Sequence, residues 1–242
     1  MNIEKFIIET KKLGIDVTRE QLEKLEIYCT FLLEYNSHTN LTAIKNREEI
    51  YLKHFYDSLT LVKFIDLNKE STLLDIGSGA GFPGMVIKIF FPNLQVYLVD
   101  SNNKKTKFLL ELKDKLNVDK LEVINDRIEN ITSRFINNID MVTARAVTNL
   151  PVLLELALPI VKENKYFIAM KGNALEELEN SNYAINYLGG KLKEVKEFDL
   201  PHNAGKRMLI CIQKIQKSDL NKLRPYEKII KKPLQKKVIY LT

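Results

Sequence analysis

The sequence predicts an α/β protein: a Rossmann-like, doubly wound parallel sheet with a final antiparallel strand, preceded by a helical N-terminal extension. Three observations predict it. The apolar run Leu73-Leu74-Asp75-Ile76 breaks into Gly77-Ser78-Gly79-Ala80-Gly81-Phe82-Pro83-Gly84, and an apolar stretch from Val86 to Phe91 follows, as when a buried strand turns into a helix. Strand-like and helix-like segments then alternate from residue 71 to 187, the order of a parallel sheet with right-handed crossovers. The last two strand-like segments have no helix between them, so they must run antiparallel.

Residues 2 to 13 place apolar side chains at 3, 6, 7, 8 and 13, and residues 20 to 35 place them at 22, 25, 28, 29, 32, 33 and 35, the steps of two amphipathic helices separated at Gly14. Thr18 and Gln21 have the spacing of a capping box. A polar turn from Asn36 to Asn40 leads to a further helical pattern from about Glu48 to Phe64. Pro83 fits the first turn of the helix after the glycines, where its missing N–H is no loss. Strands are expected at 95–99, 121–124, 139–144, 166–170, 191–198 and 208–215, and helices at 101–116, 150–161 and 174–187. This divides the chain into a helical extension (1–66), an α/β core (67–216) and a C-terminal tail (217–242).

A 45 % hydrophobic content over 242 residues supports a sizeable core. Glu4, Lys5, Glu9 and Lys11 interrupt the N-terminal apolar residues, and no apolar run reaches membrane-spanning length, so a cytoplasmic protein without membrane association is expected, as a monomer. Cys29 and Cys211 stand alone and read as buried thiols, and no metal-ligand spacing occurs. The net charge of +6 is concentrated at one end. Residues 214 to 242 hold nine Lys and Arg against Asp219 and Glu227, a net +7, which leaves about −1 for the rest. That asymmetry suits a nucleic-acid partner.

The glycine turn predicts backbone N–H groups and a helix N-terminus facing a nucleotide-like ligand. Gly79 to Gly84 satisfies the dinucleotide pattern G-x-G-x-x-G, a weak signal alone. Asp75, ending the strand ahead of Gly77, Gly79 and Gly81, would repel a pyrophosphate and suits the cationic methionine end of S-adenosylmethionine. Asp100, ending the next strand, has the spacing of an acid on a ribose diol, which fits either cofactor. Asn36, His38, Asn40, Thr42, His54, Asp57 and Ser58 gather polar groups in the helical extension; a Ser/His/Asp triad is rejected, since no nucleophile elbow is present.

With these motifs in order, the chain resembles the RsmG (GidB) family of bacterial small-subunit rRNA methyltransferases. The resemblance rests on Asn40-Leu41-Thr42, His54 with Asp57-Ser58-Leu59, the Asp75 to Gly84 turn, Arg127-Ile128-Glu129, Val142 to Val147, Lys171-Gly172 and Lys231-Lys232-Pro233-Leu234, and it spans essentially the whole chain. It implies the class I S-adenosylmethionine-dependent methyltransferase fold and methyl transfer from that cofactor to N7 of guanine 527 in 16S rRNA, naked or in the small ribosomal subunit. It also implies cofactor roles for Gly77, Phe82, Ile128, Glu129 and Arg145. The family's tail usually carries Tyr-Pro-Arg and Pro-Gly, whereas this chain has Arg224-Pro225-Tyr226 and no glycine there.

Guanine N7 carries an in-plane lone pair at neutral pH, so transfer needs orientation more than a base. Arg145 and Lys171, at strand ends, are the expected catalytic residues, Arg145 toward guanine O6, a phosphate or the cofactor carboxylate. Asn40, His54 and Asp57 would wall the substrate side, with Arg207, Arg224, Lys231 and Lys232 as RNA contacts. A small-molecule methyltransferase and a nucleic-acid-binding protein with a vestigial cofactor site are the alternatives.

Overall fold

The computed structural model describes residues 1–234; the end of the expected 217–242 tail lies outside the described residues. The chain opens with α1 (Ile3–Lys12), capped by the Asn2 side chain, and α2 (Arg19–Thr39), whose capping box forms: Gln21 N–H donates to Thr18 Oγ1 at 3.2 Å and Thr18 N–H to Gln21 Oε1 at 2.9 Å. Next comes one winding helical segment: α3 (Arg47–Ile50), a π-helical stretch (Tyr51–Tyr56), α4 (Asp57–Leu59) and a 3₁₀ turn (Thr60–Lys63). The π-helical stretch changes which carbonyls the next amide meets. Asp57 N–H bonds back to the carbonyls of Leu52 and His54 and skips that of Lys53.

The α/β part runs β1 (Thr72–Ile76), α5 (Gly84–Phe90), β2 (Gln95–Asp100), α6 (Asn103–Leu116), β3 (Leu121–Asn125), α7 (Ile128–Phe135), β4 (Ile139–Arg145), α8 (Leu150–Ala157), β5 (Val161–Lys171), α9 (Leu175–Tyr187), β6 (Gly190–Asp199), β7 (Lys206–Lys214) and α10 (Tyr226–Lys231). Strand order in the seven-stranded sheet is β3-β2-β1-β4-β5-β7-β6. β1 to β5 pair in parallel, and β7 lies antiparallel between β5 and β6. The order reverses between β1 and β4, which opens a crevice at their carboxyl ends, where ligands bind in open α/β sheets.

Neighbouring β1 residues point to opposite cores, as the strand period requires. Leu73 joins a cluster with Tyr28, Phe55, Phe82 and Phe108, so the N-terminal helices share one hydrophobic core with α5 and α6. Leu74 joins the opposite cluster, with Leu153, Ile185 and Ile229 from α8, α9 and α10. Cys29 and Cys211 are buried free thiols, and burial pushes each up to about 11.

The structure departs from the expected elements at four places. Pro83 is the N-cap of α5 rather than its first turn. α8 stops at Ala157, short of the expected 161, because the carbonyls of Pro159 and Ile160 accept from Asn137 and Ile139 and draw the chain into β5, which begins at Val161. The expected elements include neither α7, although Ile128, Ile131 and Phe135 have helical spacing, nor α10 in the tail. Among the described residues no helix is long and apolar enough to cross a membrane.

Candidate active site

The glycine turn between β1 and α5 satisfies the amides of all four of its glycines. Gly77 and Ser78 N–H donate to the Val99 carbonyl at 2.8 and 3.0 Å, Gly81 and Phe82 N–H to the Ser78 carbonyl at 2.7 and 3.0 Å, Gly79 N–H to Asp100 Oδ2 at 2.9 Å, and Gly84 N–H to Asp75 Oδ2 at 2.9 Å. The expected ring of donors aimed at a ligand is therefore corrected: the amides of these glycines are spent within the protein, and Gly77 alone of the four lines the cleft. Gly77 has φ +67, and a Cβ there would stand 2.7 Å from Val147 Cγ2, across the cleft mouth.

Asp75 lies beneath the turn, fully buried, with Oδ1 lacking any partner. Burial pushes its carboxyl up to about 7, against the Gly84 amide and the Arg145 charge, which favour the ionised form. The expectation that Asp75 faces the ligand is corrected to this placement, since its carboxyl caps α5 from below. Phe82 is likewise buried, stacked between Tyr28 (5.3 Å between ring centres) and His54 (4.2 Å). Tyr28 also donates its hydroxyl to the Ala80 carbonyl at 2.5 Å, so α2 holds the turn from its outer side.

Two clefts open on the carboxyl edge of the sheet. The first, of about 380 Å³, runs from Gly77 and Asp100 to Ile128 and Glu129, with Val147, Val152 and Leu156 as its apolar wall. Asp100 is held by two amides, Gly79 N–H on Oδ2 and Asn102 N–H on Oδ1, both at 2.9 Å, and a carboxylate still has lone pairs to accept from a diol. An acid at the β2 end, acidic and apolar residues at the β3 end, and a side-chain-free floor fit an adenosyl group.

The second cleft, of about 320 Å³, is lined by His54, Asp57, Arg145, Lys171 and Arg207, with the apolar Ile44 and Met170, and Ala146 borders both clefts. Asp57 is its centre: Arg145 Nη1 donates to Oδ2 at 3.1 Å, and Arg207 Nε to Oδ1 and Oδ2 at 3.0 and 3.1 Å. The skipped Lys53 carbonyl accepts from Arg145 Nη1 at 2.9 Å. Arg145 Nη2 approaches His54 Nδ1 at 3.0 Å. A guanidinium can only donate, so Nδ1 accepts and Nε2 carries the proton toward Thr42 Oγ1, 2.9 Å away. Burial, and then the Arg145 charge, lower His54 to about 3, so it is neutral at physiological pH. Lys171 Nζ donates to the Thr148 carbonyl at 2.6 Å and to Glu177 Oε2 at 2.8 Å.

Of the expected cofactor residues, Gly77, Asp100, Ile128 and Glu129 line the first cleft; Asp75, Gly79, Gly81 and Phe82 build its support, and Arg145 lines the second. Of the expected substrate and catalytic residues, Arg145, Lys171, His54, Asp57 and Arg207 meet in the second cleft. Four do not. Asn40 is the exposed, left-handed C-cap of α2. Arg224 is held by Glu155 in a two-pronged ion pair, at 2.6 Å for each prong, because Glu155 is buried and needs a counter-charge. Lys231 and Lys232 are exposed at the end of α10. Residues missed from sequence include Tyr28, Lys53, Glu177 and Tyr226; Lys53 acts through its carbonyl, for which a sequence holds no signal.

The family described as rRNA small subunit methyltransferase G (GidB) matches residues 21–208. A Bacillus velezensis protein named ribosomal RNA small subunit methyltransferase G is 45% identical over 217 residues, 88% of this chain and 91% of its own length. One of the same name from Lachnoclostridium phytofermentans is 43% identical over 235 residues, 96% and 97% of the two chains. Among solved structures, an S-adenosylmethionine-dependent methyltransferase from Aquifex aeolicus superposes with a TM-score of 0.54 at 19% identity, covering 72% of this chain and 97% of its own. A precorrin-6y C5,15-methyltransferase from Geobacter metallireducens gives 0.52 at 14%, covering 71% and 90%. At these identities the two structures establish the shared fold alone.

Proposed function

This chain belongs to the rRNA small subunit methyltransferase G (GidB) family, and from that premise we propose that it transfers the methyl group of S-adenosylmethionine to N7 of guanine 527 in 16S rRNA. The observation that supports this reading best is the pair of clefts meeting at Ala146, one with an acid and an apolar wall for a nucleoside, the other cationic around a buried carboxylate. S-adenosylmethionine, when bound, supplies an electrophilic methyl carbon on a sulfonium.

Asp100 would accept from the ribose diol, and Ile128 and Glu129 would meet the purine of the cofactor, as the chemistry of the first cleft suits. The guanine would enter the second cleft. There Arg145 and Arg207, fixed on Asp57, can donate to guanine O6 or to a flanking phosphate without covering N7. Lys171, tied to Glu177, stands beside them. No side chain needs to remove a proton, and His54 suits that requirement because it is neutral and has both ring nitrogens engaged. A guanine methylated at N7 is a cation, which the positive charges around the cleft would help to expel.

Labelled methyl transfer to 16S rRNA, and to small subunits from a strain lacking the endogenous enzyme, tests the proposal. The expected result is one methyl per RNA, at N7 of guanine 527. Methylation of another atom or nucleotide, transfer only to small molecules, or cofactor binding too weak to measure would each overturn it.

A further inference from the structure

The segment after β7, read from its charge as an RNA arm, folds back onto the first cleft. Arg224 Nε and Nη2 donate to the two oxygens of Glu155 at 2.6 Å each, Arg224 Nη2 reaches the Lys232 carbonyl at 3.0 Å, and Leu234 N–H donates to Glu155 Oε1 at 2.9 Å. One carboxylate on α8 thus grips the chain both before and after α10, and the buried Ile229 seats the helix between these grips. That arrangement sets Tyr226, the first residue of α10, at the cleft, with its ring 5.1 Å from the Arg127 guanidinium carbon and lining the same space as Ile128 and Leu156. Arg127 is itself paired with Glu129 at 3.4 Å. The segment lies beyond residue 208, where the family match ends.

The geometry points to Tyr226 as an aromatic wall for the purine of the adenosyl cofactor, supplied by a C-terminal arm that the Glu155–Arg224 pair fastens over the site. This rests on reading the first cleft as the cofactor site. An adenine in contact with Ile128 and Glu129 lies within reach of the Tyr226 ring, and base–aromatic stacking does not depend on hydrogen-bond pattern. The arm therefore serves the methyl donor, while the exposed Lys231 and Lys232 lie outside the cleft.

The chain contains no tryptophan, so Y226W in the full-length protein places a single reporter at this wall. Titration of Y226W with S-adenosylmethionine, with adenosine and with methionine, alongside calorimetry of wild type, Y226A and D100A, tests the inference. Expected are saturable quenching by S-adenosylmethionine and by adenosine but not by methionine, and a Kd for S-adenosylmethionine about tenfold higher in Y226A. If wild type binds no S-adenosylmethionine, the cofactor reading fails and the inference with it. If wild type binds and D100A weakens binding while Y226A stays within about twofold and Y226W is silent, the inference alone is overturned. Quenching by methionine instead of adenosine would overturn it too. Y226W keeps the aromatic ring, so it remains informative if Y226A folds poorly.

Discussion

The two clefts share Ala146 yet are built in different ways. The first takes its main residues from the ends of successive strands and the turns after them: Gly77 after β1, Asp100 at the end of β2, Ile128 and Glu129 after β3. The second is assembled across the chain, with Asp57 joined to Arg145 over 88 residues and to Arg207 over 150. A strand-end cleft comes with the sheet, so any protein of this fold owns one; a cleft centred on a bridging carboxylate exists only when the helical extension is docked. The difference teaches that one cleft is inherited from the sheet while the other depends on contacts particular to this chain, which on the proposed reading divides cofactor from substrate.

Breaking the bridge should separate the clefts most sharply. D57A leaves two guanidiniums facing each other without their counter-charge, and removing one partner of a buried pair costs about 3 to 5 kcal/mol. Here the expected outcome is a fall of about a hundredfold or more in kcat/KM for RNA, with the Kd for S-adenosylmethionine within about twofold of wild type. Equal damage to both constants in steady-state kinetics and calorimetry would mean that the clefts are one unit.

The next largest effect contrasts two buried titrating groups, one beneath the glycine turn and one lining the second cleft. Asp75 is raised to about 7 in the fold, so its protonated form contributes stability that is complete below its unfolded value of 3.8 and is lost as pH rises toward 7. His54, lowered to about 3, does the opposite: its contribution is complete above 6.5 and is lost as pH falls toward 3. D75N removes only the first slope. Its Tm relative to wild type should climb between pH 4 and pH 8, by an amount on the order of 3 kcal/mol in stability; a difference that is constant across calorimetric scans at pH 4, 6 and 8 would refute the buried proton.

D100A confines a smaller change to the first cleft. Loss of a charge-assisted acceptor is worth about 1 to 3 kcal/mol, so the Kd for S-adenosylmethionine should rise about tenfold while RNA affinity holds. Filter binding that shows weaker RNA retention in the absence of cofactor would count against this division. K231A/K232A lies outside both clefts and should do least: the slope of log affinity for RNA against log salt should flatten by about two, with cofactor affinity unchanged. An unmoved slope would leave these lysines as solvated surface.

The pattern of legibility follows the same division. The strand–glycine–helix unit, the alternation of strands and helices up to β5 and the acid at the end of β2 all rest on local periodicity, which a sequence displays directly. Where the amides of the glycine turn point is not local: they close on Val99, Ser78, Asp75 and Asp100, so a motif that reads as a ring of donors is a spacer. Nor does spacing reveal that the Lys53 carbonyl, in a π-helical stretch, meets Arg145. His54, Asp57, Arg145 and Arg207 could be named singly, but their meeting around one carboxylate could not. Charge counting is coarsest in the C-terminal segment, because it cannot separate Arg224, committed to a buried glutamate, from the exposed Lys231 and Lys232.

The bond from the Tyr28 hydroxyl to the Ala80 carbonyl, with Phe82 lying flat against the same ring, has an architectural outcome. It makes α2 a buttress for the glycine turn. Excising the first 66 residues to obtain a minimal catalytic core would bare an aromatic face and unpin a carbonyl at the apex of the loop. A protein or RNA that leaned on α2 would press, through one phenol, on the loop beside the first cleft.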